Sequence, residues 1–330
     1  MTMTEKILAR GAGRDSVRPG DLVLAKVDFA MGHDLTIPPA GKIMREQMGA
    51  EKIWDPERVA VTQDHFQPAK DAASATLGRL TREFSRDMGI KWYFEVGQGG
   101  ICHTVLPEHG LVLPGELVVG ADSHSCTYGA LNNFATGIGS TDLACVFALG
   151  ELWFRVPETL KFVYHNQLKE WVEAKDLILY VIGQIGVDGA RSKAMEHTGE
   201  ALRHIDMEAR LTMTNMAIEA GAKNGIMEFD EITKQYLDGR AKRPYTPVTS
   251  DPDAEYEEAT LPMRGGDTLL LFTDGLIERR HDSIDDSMDS LLRLASRPIG
   301  SSITHYADYL LSHAPSDTGD DACLVAVRVC

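Results

Sequence analysis

From residue 21 onward, short apolar runs alternate with amphipathic stretches. DLVLAKVDFAM (21–31) is followed by PPAGKIMREQMG, RVAVTQDHF (58–66) by the long AKDAASATLGRLTREFSRDMG (69–89), and KWYFEV and GELVVGADSH come next. Period-two or continuous apolar runs predict strands, and stretches with a 3.6-residue period predict helices. Their alternation predicts an α/β fold with a largely parallel sheet, a three-layer α/β/α front domain over residues 1–165. Beyond Phe162 the pattern turns mainly helical, in AKDLILYVIGQIG, RSKAMEHTGEALRHI and MEARLTMTNMAIEAGA. This predicts a smaller, mainly helical lobe over 166–258. It ends in RAKRPYTPVTSDPDAEYEE (240–258), whose three prolines and many charges read as a linker or long loop.

Composition marks a break after that stretch. Residues 1–260 hold 13 Lys and 14 Arg, whereas the last 70 hold no Lys and 6 Arg, so 259–330 reads as a segment of separate origin, a short α+β tail. The 330 residues, 43% of them hydrophobic, suffice for two domains with sizeable cores. Lys and Arg total 33 against 49 Asp and Glu, a net charge of −16 that disfavours nucleic acid and anionic lipid as partners. The opening MTMTEKILARGAG carries charges where a secretory apolar region would lie. The longest apolar run, around Leu177 to Val187, is shorter than the roughly 20 residues of a membrane span, and a cytoplasmic location is expected. The five cysteines, Cys102, Cys126, Cys145, Cys323 and Cys330, are scattered, and no two have Cys-x-x-Cys spacing.

In a parallel sheet the site lies at the carboxyl ends of strands. Three such ends carry Asp or His: Asp64-His65 after RVAVTQ, His103 beyond the glycine loop Gly97–Gly100, and Asp122-Ser123-His124 after GELVVGA. A histidine beside a carboxylate is held in one tautomer and tuned for proton transfer. One such histidine is more readily a satisfied loop or core residue; several at equivalent ends of one sheet make an acid–base site for a carboxylate substrate a comparable reading. The glycine loop lacks the full dinucleotide fingerprint and reads as a close backbone turn. Asn215 and Glu219, four apart on an expected helix, would present an amide and a carboxylate on one face.

The stretch GQGGICHTVLPEHGLVLPGELVVGADSHSCTYGALNNFATGIGSTDLA (97–144) resembles the large subunits of the 3-isopropylmalate dehydratase and homoaconitase branch of the aconitase superfamily. MGHDLTIPPA, TQDHFQPA, KDLILYVIGQIGVDGA, LTMTNMAIEAGAKNGI and SDPDAEYE support the resemblance over roughly residues 4–258. It implies reversible dehydration of a hydroxy di- or tricarboxylic acid on a 4Fe-4S cluster, in concert with a separate small subunit bearing a swivelling domain. It implies catalytic roles for Asp64, His65, His103, Asp122, Ser123, His124, Asn215 and Glu219, and substrate contact by His33, Asp34 and Thr36. The family's cluster cysteines, in a Ser-Cys-Thr-Asn segment and a later Cys-x-x-Cys, have no counterpart in these 330 residues. The resemblance thus implies a substrate wall without its metal ligands, inactive on its own.

The tail runs LPMRGGDTLLLFTDGLIERRHDSIDDSMDSLLRLASRPIGSSITHYADYLLSHAPSDTGDDACLVAVRV. Two strand ends carry carboxylates, Asp274 in Thr-Asp-Gly and Asp320 in Asp-Asp, suited to Mg²⁺ or Mn²⁺. Ser287–Arg297 and Thr304–Ser312 read as amphipathic helices. The order of motifs resembles the carboxy-terminal part of metal-dependent PP2C-type serine/threonine phosphatases of the bacterial SpoIIE and RsbU kind, which implies metal binding by Asp274 and Asp320. The earlier half of that family, with its further ligands, is missing, and two carboxylates are too few for a two-metal centre. The chain therefore reads foremost as a hydro-lyase large-subunit fragment; a phosphatase or signalling fragment, and a non-catalytic fusion of two truncated families, are the alternatives.

Overall fold

The structure is a computed structural model that describes residues 1–256, 268–272, 276–277, 284–296, 302–314 and 324–328. The chain divides into two compact units, Met1–Glu257 and Glu258–Cys330. In the first, α1 (Met3–Gly11) starts at a reciprocal cap: the Thr2 hydroxyl accepts from the Glu5 amide, and the Glu5 carboxylate accepts from the Thr2 amide. The run 21–31, expected as one strand, forms two. β1 (Leu22–Lys26) alternates exposed and buried residues and pairs antiparallel with β7 (Glu151–Arg155), whereas β2 (Phe29–His33) is wholly buried.

β2 sits at the centre of a parallel five-stranded sheet ordered β4-β3-β2-β5-β6, with β3 at Val59–Thr62, β4 at Trp92–Phe94, β5 at Leu117–Gly120 and β6 at Phe134–Gly137. Alternate residues feed opposite cores. Ala30, Val59, Val61, Leu117 and Val119 pack with Ile37 and Met44 of α2 (Ile37–Glu46), Phe84 of α3 (Ala72–Asp87) and Phe147 of α5 (Ser140–Leu149). Phe29, Met31, Ala60 and Val118 pack instead with Val105 and Leu106 of α4 (Cys102–Glu108) and with Tyr128 and Leu131 of a 3₁₀ segment, Ser123–Leu131. Both faces of the sheet are covered, so its strands read as near-continuous apolar runs and the architecture has three layers. Prolines in the first turn of α2 cost no hydrogen bond there, and the Asp71 carboxylate caps α3 by accepting from the Ser74 amide at 2.7 Å.

The smaller lobe is built on a second parallel sheet, β10-β9-β8, formed by β8 (Thr159–Val163), β9 (Ala194–Thr198) and β10 (Asn224–Met227). Beside it lie α6 (Ala174–Ile185) and α7 (Met207–Asn215), whereas α8 (Glu231–Leu237) packs Leu237 into a core of the five-stranded sheet. This sheet was not expected from the pattern, because its strands are short and AMEHT and NGIM do not alternate. The 3₁₀ segment crosses β10 so closely that a Cβ on Gly129 would stand 1.7 Å from the Gly225 carbonyl oxygen; only glycine fits that crossing.

The polar stretch 240–256, expected as a linker or long loop, is a long loop anchored along its length. Arg243 forks onto the Glu116 carboxylate at 2.9 and 2.6 Å and donates to the Leu111 carbonyl. The buried Asn132 side chain exchanges hydrogen bonds with the Val248 backbone in both directions, and Ser250 and Tyr256 donate to the fully buried Glu196. Asp251 binds the N-terminal ammonium at 2.7 Å. The stretch is a strap, and its charges serve as anchors rather than solvated decoration. In the second unit β11 (Thr268–Phe272) pairs antiparallel with β12 (Leu324–Arg328), and α9 (Ile284–Ala295) and α10 (Ile303–His313) bury Leu291, Tyr306 and Leu310 with Leu276 and Ile277. The sequence thus yields an α/β fold with a short α+β tail. Among the described residues no helix is long and apolar enough to cross a membrane.

Candidate active site

The carboxyl ends of β2, β3 and β5 deliver Asp34, Asp64-His65 and Asp122-Ser123-His124 to one place. Asp122 is its hub. Its backbone is extended, and it caps the 3₁₀ segment, with the Ser125 hydroxyl donating to the Asp122 carbonyl at 2.8 Å. One carboxylate oxygen accepts from His103 Nε2 at 2.8 Å and from the His124 amide at 2.7 Å; the other lies 3.2 Å from His65 Nε2. On its other edge His65 Nδ1 meets Asp64 at 2.7 Å, and the second Asp64 oxygen accepts from the Cys102 amide at 2.7 Å.

Held between two carboxylates, first Asp122 and then Asp64, His65 is pushed up to a pKa of about 10 against the drag of partial burial. Both its ring nitrogens therefore carry protons at neutral pH, and it is an imidazolium. Burial alone would raise the Asp122 and Asp64 carboxyls. The hydrogen bonds from His103 and His65 to Asp122, and from His65 and the Cys102 amide to Asp64, prevail and hold both below the usual carboxylate range. His33 behaves in the opposite sense: its ring stacks on His65 at 3.6 Å and 7°, and burial, then the charge on His65, depress its pKa. Its Nε2 faces the Ala121 carbonyl at 2.9 Å and so bears the proton.

His33 and Asp34, for which the resemblance implies substrate contact, are 2% and 0% exposed. Asp34 accepts from the His65 and Phe66 amides at 3.1 and 2.9 Å and fixes the loop behind the cluster. The Thr36 hydroxyl accepts from the His33 amide at 3.2 Å at the head of α2, likewise a support. Ser123 and His124 lie at the mouth, with the hydroxyl 3.0 Å from His124 Nδ1, and His124 Nε2 reaches the exposed Glu219 at 3.4 Å. Asn215 and Glu219 do not share a helical face, because α7 ends at Asn215 and Met216–Ala220 continue as 3₁₀. The Asn215 amide donates instead to the Thr127 hydroxyl at 2.8 Å. Sequence reasoning missed the Ala121 carbonyl, the Cys102 amide and Thr127. All three lie within the long motif 97–144 but act through groups that carry no chemical signature of their own.

Buried His103 Nδ1 has no hydrogen-bond partner. With Nε2–H directed at Asp122, this Nδ1 is an unpaired acceptor lone pair, less costly to bury than an unpaired N–H. Among the described residues no Lys or Arg forms an ion pair with Asp64, Asp122 or Glu219, so the cluster is rich in carboxylate and poor in fixed cation. Such a set of groups can hold and move protons.

Among the described residues the cysteines do not suit an iron–sulfur cluster. Cys102, Cys126 and Cys145 fall in three different apolar cores and do not converge. Burial drives the Cys102 thiol far above its usual range and pushes Cys126 up to about 12, the opposite of what a thiolate ligand requires. Cys323 and Cys330 lie outside the described residues, as do Asp274 and Asp320, the candidate Mg²⁺ or Mn²⁺ ligands of the tail. Donor atoms of His33, Asp34, Asp64 and His65 come within 4.8 Å of one another, but hydrogen bonds within the cluster and to the backbone already occupy them.

Comparison with known proteins agrees with this geometry. Residues 5–263 match the aconitase family (aconitate hydratase), and residues 230–330 are similar to stage II sporulation protein E. The chain is 59% identical over 256 residues to 3-isopropylmalate dehydratase large subunit 1 of Pyrococcus furiosus, covering 78% of this chain and 60% of that one. It is 58% identical over 258 residues to the 3-isopropylmalate dehydratase large subunit of Moorella thermoacetica (78% and 61%), and 59% identical over 256 residues to that of Aquifex aeolicus (78% and 59%). The chain thus spans about 60% of the length of these relatives. With a three-layer sheet whose strand ends gather Asp64, His65, His103 and Asp122, and a match over most of its length, the chain belongs to the aconitase family.

Proposed function

We propose that residues 1–256 form the acid–base wall of a hydro-lyase that dehydrates a hydroxy di- or tricarboxylic acid, as in the dehydratase relatives, and that these 330 residues do not complete the reaction alone. The observation that supports this most is the single Asp122 carboxylate shared between His65 and His103. The bond from His65 to Asp122, at 3.2 Å, is longer than that to Asp64, at 2.7 Å, and is the one a substrate hydroxyl displaces. His65 Nε2–H then gives its proton to the departing hydroxyl as the carbon–oxygen bond breaks, while Asp64 keeps the ring in place. Asp122, still bonded to His103 and the His124 amide, offsets the positive charge left at the carbon until a base beyond this cluster takes the adjacent carbon-bound proton. Glu219 holds His124 at the mouth.

Removal of the carbon-bound proton and anchoring of the substrate carboxylates fall to groups beyond this cluster, because it offers no guanidinium or ammonium. We assign the anchoring cations to a separate small subunit, the counterpart implied by the large-subunit names of the relatives. The cysteines described here do not fit a 4Fe-4S cluster, so no step is ascribed to one. A site deprived of one electrostatic stabiliser of the leaving group loses about 3 kcal/mol, at least ~10²-fold in rate. The test is anaerobic reconstitution of the full chain with iron and sulfide, followed by assay of hydration of an unsaturated diacid with and without a cognate small subunit. No stoichiometric cluster and no turnover of the chain alone are expected; a stoichiometric cluster with turnover lost in His65→Ala overturns the second half of the proposal. The similarity of residues 230–330 to stage II sporulation protein E supports a second reading, a phosphatase-derived module. It requires manganese-dependent phosphoserine hydrolysis lost in Asp274→Ala, and the two candidate carboxylates Asp274 and Asp320 lead us to expect none.

A further inference from the structure

Away from the acid–base cluster, a cavity of about 530 Å³ opens where the end of β7 meets the loops that flank β9 and β10. Arg155, Arg191, Lys193 and Lys223 line it, together with the acids Asp142 and Glu158. Lys193 is bridged to Glu158 at 2.9 Å, whereas Arg155, Arg191 and Lys223 form no ion pair among the described residues. Among the described residues four cations and two acids line the cavity, in a chain whose net charge is −16. Such a local excess, kept in a concave wall against the overall charge, creates a positive potential confined to the cavity.

The cations are held by backbone rather than left on free loops. The Ser192 amide donates to the Gly221 carbonyl at 2.9 Å, Lys223 to Lys193 at 2.8 Å and Ala190 to Ala220 at 3.0 Å, which ties the two loops together. Ser192 adopts a left-handed conformation, φ 60°, that a residue with a side chain seldom takes without a local reason. Leu152 and Phe154 supply an apolar floor and Trp153 an exposed aromatic wall. The size is that of a small-molecule site.

We propose that this cavity binds a small polyanion carrying at least two phosphate or carboxylate charges on a compact skeleton. The net charge of −16 disfavours extended polyanions, and a neutral ligand leaves Arg155, Arg191 and Lys223, unpaired among the described residues, unanswered. The proposal stands independently of the acid–base reading, since no residue of that cluster lines the cavity.

The experiment is titration of the full chain with pyrophosphate and, separately, with citrate, read by calorimetry and by tryptophan emission, in which Trp153 is the reporter nearest the charges. Saturable binding of one or both is expected, weakened at least tenfold in Arg191→Ser/Lys223→Ser, weakened in Arg155→Gln and unchanged in His65→Ala. All three cations are exposed, so these variants retain the fold, as a thermal melt will check. Tighter binding of pyrophosphate identifies the ligand group as phosphate, and tighter binding of citrate as carboxylate. Absence of saturable binding of either up to roughly millimolar concentration, undiminished binding by the double variant, or loss of binding in His65→Ala overturns the proposal; the last result would move the anion to the acid–base cleft.

Discussion

Acidification of the buried His197 is expected to unlock the smaller lobe. This histidine, on β9, is completely buried between the rings of Phe162 and Tyr164, whose centroids lie 5.6 and 5.9 Å away. Nδ1 exchanges a hydrogen bond with the Tyr164 hydroxyl at 2.9 Å, and Nε2 has no partner. Burial lowers its pKa to about 4 from an ordinary 6.5. Between those values the unfolded chain binds the proton that the native chain refuses. The stability tied to neutral His197 is therefore complete above pH 6.5 and is lost as pH falls towards 4. The shift corresponds to about 2 kcal/mol by pH 5 and about 3 kcal/mol at pH 4. The elevated pKa of His65 acts in the opposite sense, its stabilisation being lost as pH rises from 6.5 towards 10, so the comparison must be between the parent chain and His197→Phe, in which the His65 contribution cancels. Urea denaturation of the first unit's signal at pH 7.5 and pH 5 measures it. The parent should lose about 2 kcal/mol more than the variant over this interval. Equal losses would refute the assignment and mean that water or motion solvates His197.

Two further outcomes follow from the strap and the cysteines. Arg243→Met leaves the Glu116 carboxylate, raised in pKa by burial even with Arg243 beside it, without its forked partner. Breaking such a pair should cost about 3 kcal/mol in denaturant titrations and make 240–256 more readily cut in limited proteolysis than in the parent; unchanged stability would show the strap to be incidental. In native chain at pH 8, Cys102 and Cys126 should escape alkylation by iodoacetamide and react only after unfolding, as followed by peptide mass spectrometry. Labelling of either at the rate of a free thiol would reopen the possibility of thiolate ligands.

The sheet and the site were legible to different depths. The strand-end rule placed Asp64, His65, His103 and Asp122 together correctly, because parallel strands deposit their following residues on one edge whatever the details of packing. The helices over 72–87 and 284–295 lay near their expected places, since long amphipathic periods survive tertiary context. Residues 21–31 misled because one apolar run served two sheets, and only the change from alternation in Leu22–Lys26 to continuous burial in Phe29–His33 marks the joint. The sequence left 240–256 open between a linker and a long loop because the charges that anchor it, Arg243 and Asp251, are indistinguishable in sequence from solvated ones. His33 stacking on His65 was invisible for a similar reason: the partners are 32 residues apart and their register depends on the pairing of β2 with β3.

The central claim is that two carboxylates keep His65 as an imidazolium poised to give a proton. Nuclear magnetic resonance titration of a chain labelled in its histidine rings tests it directly, with assignment by His65→Gln and with Asp122→Asn as the perturbation. The account expects His65 to titrate far above 6.5, near 10, and to fall towards its ordinary value when Asp122 is neutralised. A His65 that titrates near 6.5 in the parent chain, or one indifferent to Asp122→Asn, would contradict it.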